Sequence, residues 1–100
     1  MAARDDDDGT TWTFLTNHAH VLLSIAREPD LRLRDVADRV GITERAAQRI
    51  VGELEQGGYL SVRRVGRRNE YRVNFNRPMR HPAERHHKVG ELLSVLAHED

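Results

Sequence analysis

No cysteine occurs anywhere in the 100 residues, which excludes a disulfide framework, a thiolate metal site and a thiol nucleophile, and leaves no redox compartment indicated. Lysine is nearly absent too: of 16 basic residues, Lys88 alone is not arginine. No apolar run approaches the roughly 20 residues that span a bilayer, and no charged-then-apolar leader opens the chain, so no membrane partner is expected and a cytoplasmic location is. Paired carboxylates, a nucleophile–base set and a glycine-rich phosphate loop are all missing. Gly57-Gly58 reads as a helix stop, so no enzymatic activity is expected.

Net charge is also lacking, at zero, but the zero conceals a segregation. Residues 31–80 hold twelve arginines against six acids, residues 1–30 two basic residues against six acids, and residues 81–100 two against four. The positive charge sits in the middle of the chain. With 38% hydrophobic residues the chain has material for one small core, burying roughly two-thirds of the surface exposed in the unfolded state. A core of that size gains from a partner subunit.

Three stretches organise the chain. Residues 1–11 carry Asp5-Asp6-Asp7-Asp8 and Gly9 with no apolar anchor and are expected to be a disordered acidic tail. Residues 12–77 hold the folded pattern. Leu15, Ala19, Leu22, Leu23 and Ala26 fall at helical spacing, with Val21 and Ile25 as a second flank, predicting a helix over Leu15–Glu28 ended by Pro29. Leu31 and Leu33 alternate with Arg32 and Arg34 as in a short edge strand. Val36, Ala37 and Val40 then mark a short helix broken by Gly41. Thr43 is a good N-cap for a helix reaching Gln56, whose core face is Ala47, Ile50, Val51 and Leu54 and whose opposite face is Arg45, Gln48, Arg49 and Gly52. Tyr59–Val65 and Glu70–Phe75 alternate as strands joined by a four-residue loop, Gly66 to Asn69. In residues 78–100, Pro78 and Pro82 punctuate a linker before a last helix over Ala83–Ala97. Its stripe of Val89, Leu92, Leu93 and Leu96 looks surplus to one small core and points to a subunit interface.

The segment Val36–Ile50 meets the demands of a helix-turn-helix: a small residue at the crossing (Ala37), a turn tolerant of positive φ (Gly41), and locking apolar residues (Val36, Val40, Ile42, Ala47, Ile50). A hairpin follows directly on Gly-Gly-Tyr-Leu. Asp35–Leu60 (DVADRVGITERAAQRIVGELEQGGYL) with Arg63–Val73 (RRVGRRNEYRV) resembles the winged helix-turn-helix of regulators of the ArsR and MarR type. The expected fold is mainly α with a small β-hairpin: a three-helix core, a wing and a C-terminal dimerisation helix. The resemblance implies a homodimeric repressor on double-stranded DNA, with the helix Thr43–Gln56 in the major groove and a wing at Arg63–Arg72 over phosphates or minor groove. Thr43, Arg45, Gln48 and Arg49 match groove-facing positions, and Arg67 and Arg68 the wing tip. Leu15 and Leu22 join Val89, Leu92, Leu93 and Leu96 as the expected dimer interface. A nucleoid-associated protein is the corresponding location.

Elementary chemistry supports the same roles. Arg45 and Arg49 are one helical turn apart and suit guanine edges, Gln48 suits adenine, Arg67 a narrow minor groove, and Arg63, Arg64 and Arg68 phosphates. Six histidines are many for this length. His81, Glu84, His86 and His87, joined by His18 or His20, are candidates for zinc or nickel, or for a pH-responsive patch. No two-histidine spacing among them is diagnostic, so the expectation is no metal and no cofactor. The identity of any small-molecule or metal effector is not legible. The competing function is a winged-helix adaptor or anti-regulator that binds protein instead of DNA.

Overall fold

Apolar periodicity becomes four helices and one hairpin in the order α1 (Asn17–Arg27), α2 (Leu33–Val40), α3 (Glu44–Gln56), β1 (Leu60–Val65), β2 (Arg68–Val73) and α4 (Val89–Ala97). The structure is a computed structural model that describes residues 12–97. The acidic stretch expected to be a disordered tail lies outside the described residues.

Helix α1 is the hub. Val21, Leu22 and Ile25 are buried along it, and it packs against α2, α3, α4 and β2. It starts two residues later than the apolar pattern suggests because the Thr16 hydroxyl caps it, accepting from the Ala19 amide at 3.4 Å. Helices α2 and α3 meet through Val36, Ala37, Ala47 and Ile50, none more than 2% exposed. The turn between them depends on Gly41, whose φ of 85° is strained for any residue with a Cβ. Its amide and that of Ile42 both donate to the Ala37 carbonyl, at 2.8 and 3.0 Å.

The expected edge strand at Leu31 and Leu33 is not formed. Leu33 instead opens α2, and both leucines pack their side chains on the core. A strand needs a backbone ladder. Among the described residues the wing strands pair only with each other, and what reaches the Asp30 carbonyl is the Arg68 guanidinium, at 2.5 Å. The hairpin is also tighter than expected, because Val65 pairs with Arg68 and the loop shrinks to Gly66 and Arg67. Gly66, at φ 62°, permits the reversal. Phe75 falls beyond β2 and is half-exposed. Leu60 pairs with Val73 and Val62 with Tyr71, which puts the apolar face of the hairpin on the core.

The C-terminal segment differs most from expectation. Residues 83–88 are not helical; they form turns in which Glu84 and Arg85 amides donate to the His81 carbonyl at 2.8 and 3.0 Å, and Met79 donates to His87 at 3.0 Å. Helix α4 begins only at Val89, where Glu91 reaches back to accept the Lys88 amide at 2.8 Å, half of a capping box. The stripe is not surplus, since Val89 and Leu93 are buried with Leu22 in the core of this chain. Their apolar surface is already covered, which removes these three from any exposed dimer surface. Leu15, Leu92 and Leu96 remain half-covered, and Val95, which the stripe omitted, is 73% exposed.

The first turn of α4 lies against the backbone after β2. The Gly90 amide donates to the Phe75 carbonyl at 2.9 Å, and a Cβ at Gly90 would sit 2.6 Å from that oxygen and 2.8 Å from the Phe75 Cβ. Contact this close with backbone cannot be relieved by a rotamer change. Gly90→Ala is therefore expected to lower unfolding stability by about 1–3 kcal/mol, measured by denaturant titration, whereas Gly52→Ala, with nothing within 4 Å of its Cβ, should be neutral or stabilising.

Candidate nucleic-acid interface

Helix α3 turns two faces to two environments. Its inner face, Ala47, Ile50, Val51 and Leu54, is buried, and Arg45, Gln48 and Arg49 are exposed on the outer one. Both ends are fixed. At the start, the Thr43 hydroxyl accepts the Ala46 amide at 3.0 Å, so this residue's structural duty is capping. At the end, Gly58 takes φ 85°, and the Tyr59 amide donates to the Leu54 carbonyl at 2.9 Å, closing the helix as a left-handed cap does.

Arg77 is a residue that sequence reasoning missed. Its Nε donates to the Gly57 carbonyl at 3.0 Å, placing a cation at the negative end of the α3 dipole. Twenty residues separate the partners, so no local pattern announces the contact. Tyr59 acts similarly, its hydroxyl donating to the Pro78 carbonyl at 2.5 Å and tying the linker to the end of α3.

The arginines chosen from sequence sort into engaged and unengaged groups. Arg49 lies 3.3 Å from Glu53, Arg63 lies 3.0 Å from Glu70 across the hairpin, and Arg64 donates to the Gly66 carbonyl at 3.2 Å. Arg68 is not at the tip; it opens β2 and is held by Asp30. Arg67 is left alone at the tip. Arg45, Gln48 and Arg67 form no side-chain hydrogen bond or ion pair among the described residues. Exposed ion pairs such as Arg63–Glu70 contribute about 0–1 kcal/mol, so exchanging one for a phosphate contact costs little.

On the other flank of α3, Glu53 lies 2.6 Å from His18 Nε2. The hydrogen bond from His18, with a smaller contribution from Arg49, holds the Glu53 carboxyl below its ordinary value. Glu53 and His18 also line a cleft of about 710 Å³ with Phe14, Leu22, Tyr59 and Leu92. The histidines of the linker do not assemble. His81 Nδ1 accepts from the Ala83 amide at 3.0 Å and His87 lies 2.8 Å from Glu91. Among the described residues no three of His, Cys, Asp or Glu come together to hold a metal, so His81, Glu84, His86 and His87 form no ligand set. Among those same residues no helix is long and apolar enough to cross a membrane.

A two-helix turn unit, a capped outward helix and an arginine-tipped hairpin are thus in place. The MarR family profile matches residues 9–68. The chain belongs to the MarR family. Of the two regulator types that the sequence resembles, the match is to this one. Among solved structures, the MarR-family chain is similar to the PcaV transcriptional regulator from Streptomyces coelicolor, whose crystal structure is in complex with its natural ligand, at 30% identity and a TM-score of 0.54. That similarity covers 60% of this chain and 45% of PcaV, so the chain spans less than half of PcaV's length. No curated protein matches it.

Glu91 carries a second depressed carboxyl, held down by the Lys88 amide first and the His87 imidazole second. A lowered folded-state value means that the cap's contribution is complete above the ordinary carboxylate range and is lost as pH falls through the depressed value. Glu91→Ala should therefore melt below the parent chain at neutral pH, and the gap should narrow as the pH falls beneath the ordinary carboxylate range. Thermal unfolding followed by circular dichroism across that range checks it.

Proposed function

We propose that this MarR-family chain is a sequence-specific, double-stranded DNA-binding transcriptional regulator that acts as a homodimeric repressor, with α3 in the major groove and the wing on the backbone or minor groove. The observation that carries the reading is the division of α3. Its inner face is locked into the core, which leaves Arg45, Gln48 and Arg49 outward on a capped, rigid helix. An arginine bidentate to guanine discriminates by about 1–3 kcal/mol. Arg67 at the two-residue tip suits the minor groove, and Arg63, Arg64 and Arg68 suit phosphates. A nucleoid-associated, cytoplasmic location goes with this role.

Dimerisation rests on surface that the fold leaves uncovered. Phe14 is 92% exposed, Trp12 70% and Val95 73%, while Phe14, Leu15 and Leu92 border one cleft. Exposed apolar area of this kind marks a protein contact. The cleft is also where a small-molecule effector would fit, with an apolar floor and a few polar groups at its rim. PcaV's bound natural ligand supports looking for one.

Binding should be strongly salt-dependent, log affinity falling linearly with log salt at about −0.9 per phosphate neutralised. Arg45→Ala and Arg49→Ala should relax sequence preference, and Arg67→Ala should weaken all duplexes evenly. Selection from a random DNA pool followed by binding titrations tests this; weak, salt-flat binding would instead support a protein partner. For the dimer, Val95→Glu with Phe14→Glu should shift the sedimentation coefficient to that of a monomer without loss of helicity, because both side chains stand outside the core. An unshifted dimer would move the interface elsewhere.

A further inference from the structure

The Glu53 carboxylate lies between two groups from different parts of the fold. Arg49 stands one turn earlier on the same helix at 3.3 Å, and His18 reaches across from α1 to 2.6 Å. Arg49 belongs to the face proposed to enter the groove. His18 does not, because it sits on the cleft side with Glu53. One carboxylate therefore joins the groove-facing side of α3 to the cleft side.

We propose that Glu53 and His18 are positioning residues for Arg49, so that DNA recognition by α3 responds to the protonation of His18. The proposal rests on the DNA-binding reading of α3. When the imidazole is neutral, Arg49 is the one cation paired with Glu53 among the described residues. The guanidinium is drawn along the helix, and a full negative charge stands beside the phosphate path. When the imidazole is protonated it takes over part of that pairing. Arg49 then turns outward at lower electrostatic cost, and the surface gains one positive charge. Both effects have the same sign, so affinity rises as pH falls across the range in which histidine changes charge, about pH 8 to 5.

Among the described residues, the surroundings of His18 add no competing switch of comparable closeness. The linker contributes Arg80 and Glu84 to the same cleft, α3 contributes Glu53, and α4 brings only Val89 and Leu92. Tyr59 also lines it, but its hydroxyl is engaged with Pro78. On α1 itself His20 lies 3.2 Å from Asn17 Oδ1 instead. Close to half of the His18 and Glu53 side chains is exposed, at 42% and 47%, so water screens the pair and the effect is modest, about two- to fivefold in affinity.

The test uses the full chain, one duplex selected from a random pool and one scrambled duplex, at constant ionic strength and at about pH 6 and pH 8. The parent chain is expected to bind more tightly at the lower pH, by a factor about two- to fivefold larger than that of His18→Gln, which keeps a hydrogen-bond donor but does not titrate. The other five histidines are the same in both proteins, so their contributions cancel in the comparison. Glu53→Gln should lose the same increment and also reduce discrimination between the two duplexes, Glu53→Asp should restore part of it, and His18→Gln added to Glu53→Gln should change nothing more. A measurement without DNA accompanies these: the Arg49 Nε–Hε resonance should move between the two pH values in the parent chain and stay still in Glu53→Gln. Circular dichroism first establishes that each variant is folded. Undiminished pH dependence in His18→Gln, or an Arg49 resonance indifferent to pH in the parent chain, overturns the proposal. Absence of salt-dependent DNA binding at either pH overturns the DNA-binding reading itself, while the resonance still decides whether His18 and Glu53 govern Arg49.

Discussion

The fold turns on burying one face of α3 against α1 and α2. Ala47 and Ile50 are essentially inaccessible and Val51 and Leu54 nearly so. Fully burying an aliphatic side chain is worth about 1.5–3 kcal/mol, whereas the arginines on the far side make at most exposed pairs of about 0–1 kcal/mol. The apolar face therefore sets the orientation of the helix, and the cationic face is carried along. Substitutions on the outer face can therefore change the surface chemistry of α3 with little effect on folding, whereas substitutions on the inner face act on stability.

Rigidity at the ends of α3 makes that orientation useful. If α3 frayed, the relative placement of Arg45 and Arg49, which the proposed bidentate base contacts require, would be lost. Thr43 secures the first turn. The last is secured three ways, by Gly58 in the left-handed region, by the Tyr59 amide on the Leu54 carbonyl, and by the Arg77 guanidinium on the Gly57 carbonyl. Through Arg77 and the Tyr59 hydroxyl the linker is fastened to the same helix end, so the segment leading to α4 is coupled mechanically to α3.

Legibility followed the range of the interactions. The turn at Gly41, the cap at Thr43 and the two faces of α3 are written within a few residues of each other, and the structure has them where the sequence puts them. The missing strand at Leu31–Leu33 shows the limit, because alternation says which side chains are apolar but not whether a ladder partner is within reach. The last helix shows another. Ala83–Lys88 has helical composition, yet the return of the chain over Phe75 requires turns there and a glycine at position 90. The same return draws Val89 and Leu93 into the core, which periodicity had assigned to a second subunit. Arg77, Tyr59 and the His18–Glu53 contact, 35 residues apart in sequence, left no local trace.

Zero net charge is compatible with a nucleic-acid surface because the acids are not placed at random with respect to α3 and the wing. Glu53 and Glu70 pair with Arg49 and Arg63, and because all four side chains are largely exposed to water the pairs are weak and exchange with another anion at little cost. Neutralising a cation within the free protein lowers its attraction to any duplex at long range, where only the sum of charges matters. At contact the pair can open, and the arginine's planar fork finds two acceptors that a single carboxylate across solvent does not hold firmly. Local pairing therefore penalises non-specific association more than docked recognition. On the proposed DNA-binding reading, Arg45 and Arg67, with no partner among the described residues, would carry the attraction at first encounter. On the same reading, Arg49 and Arg63 would contribute only once a groove or backbone is close enough to displace their carboxylates, so that their share of the binding free energy would depend on correct docking.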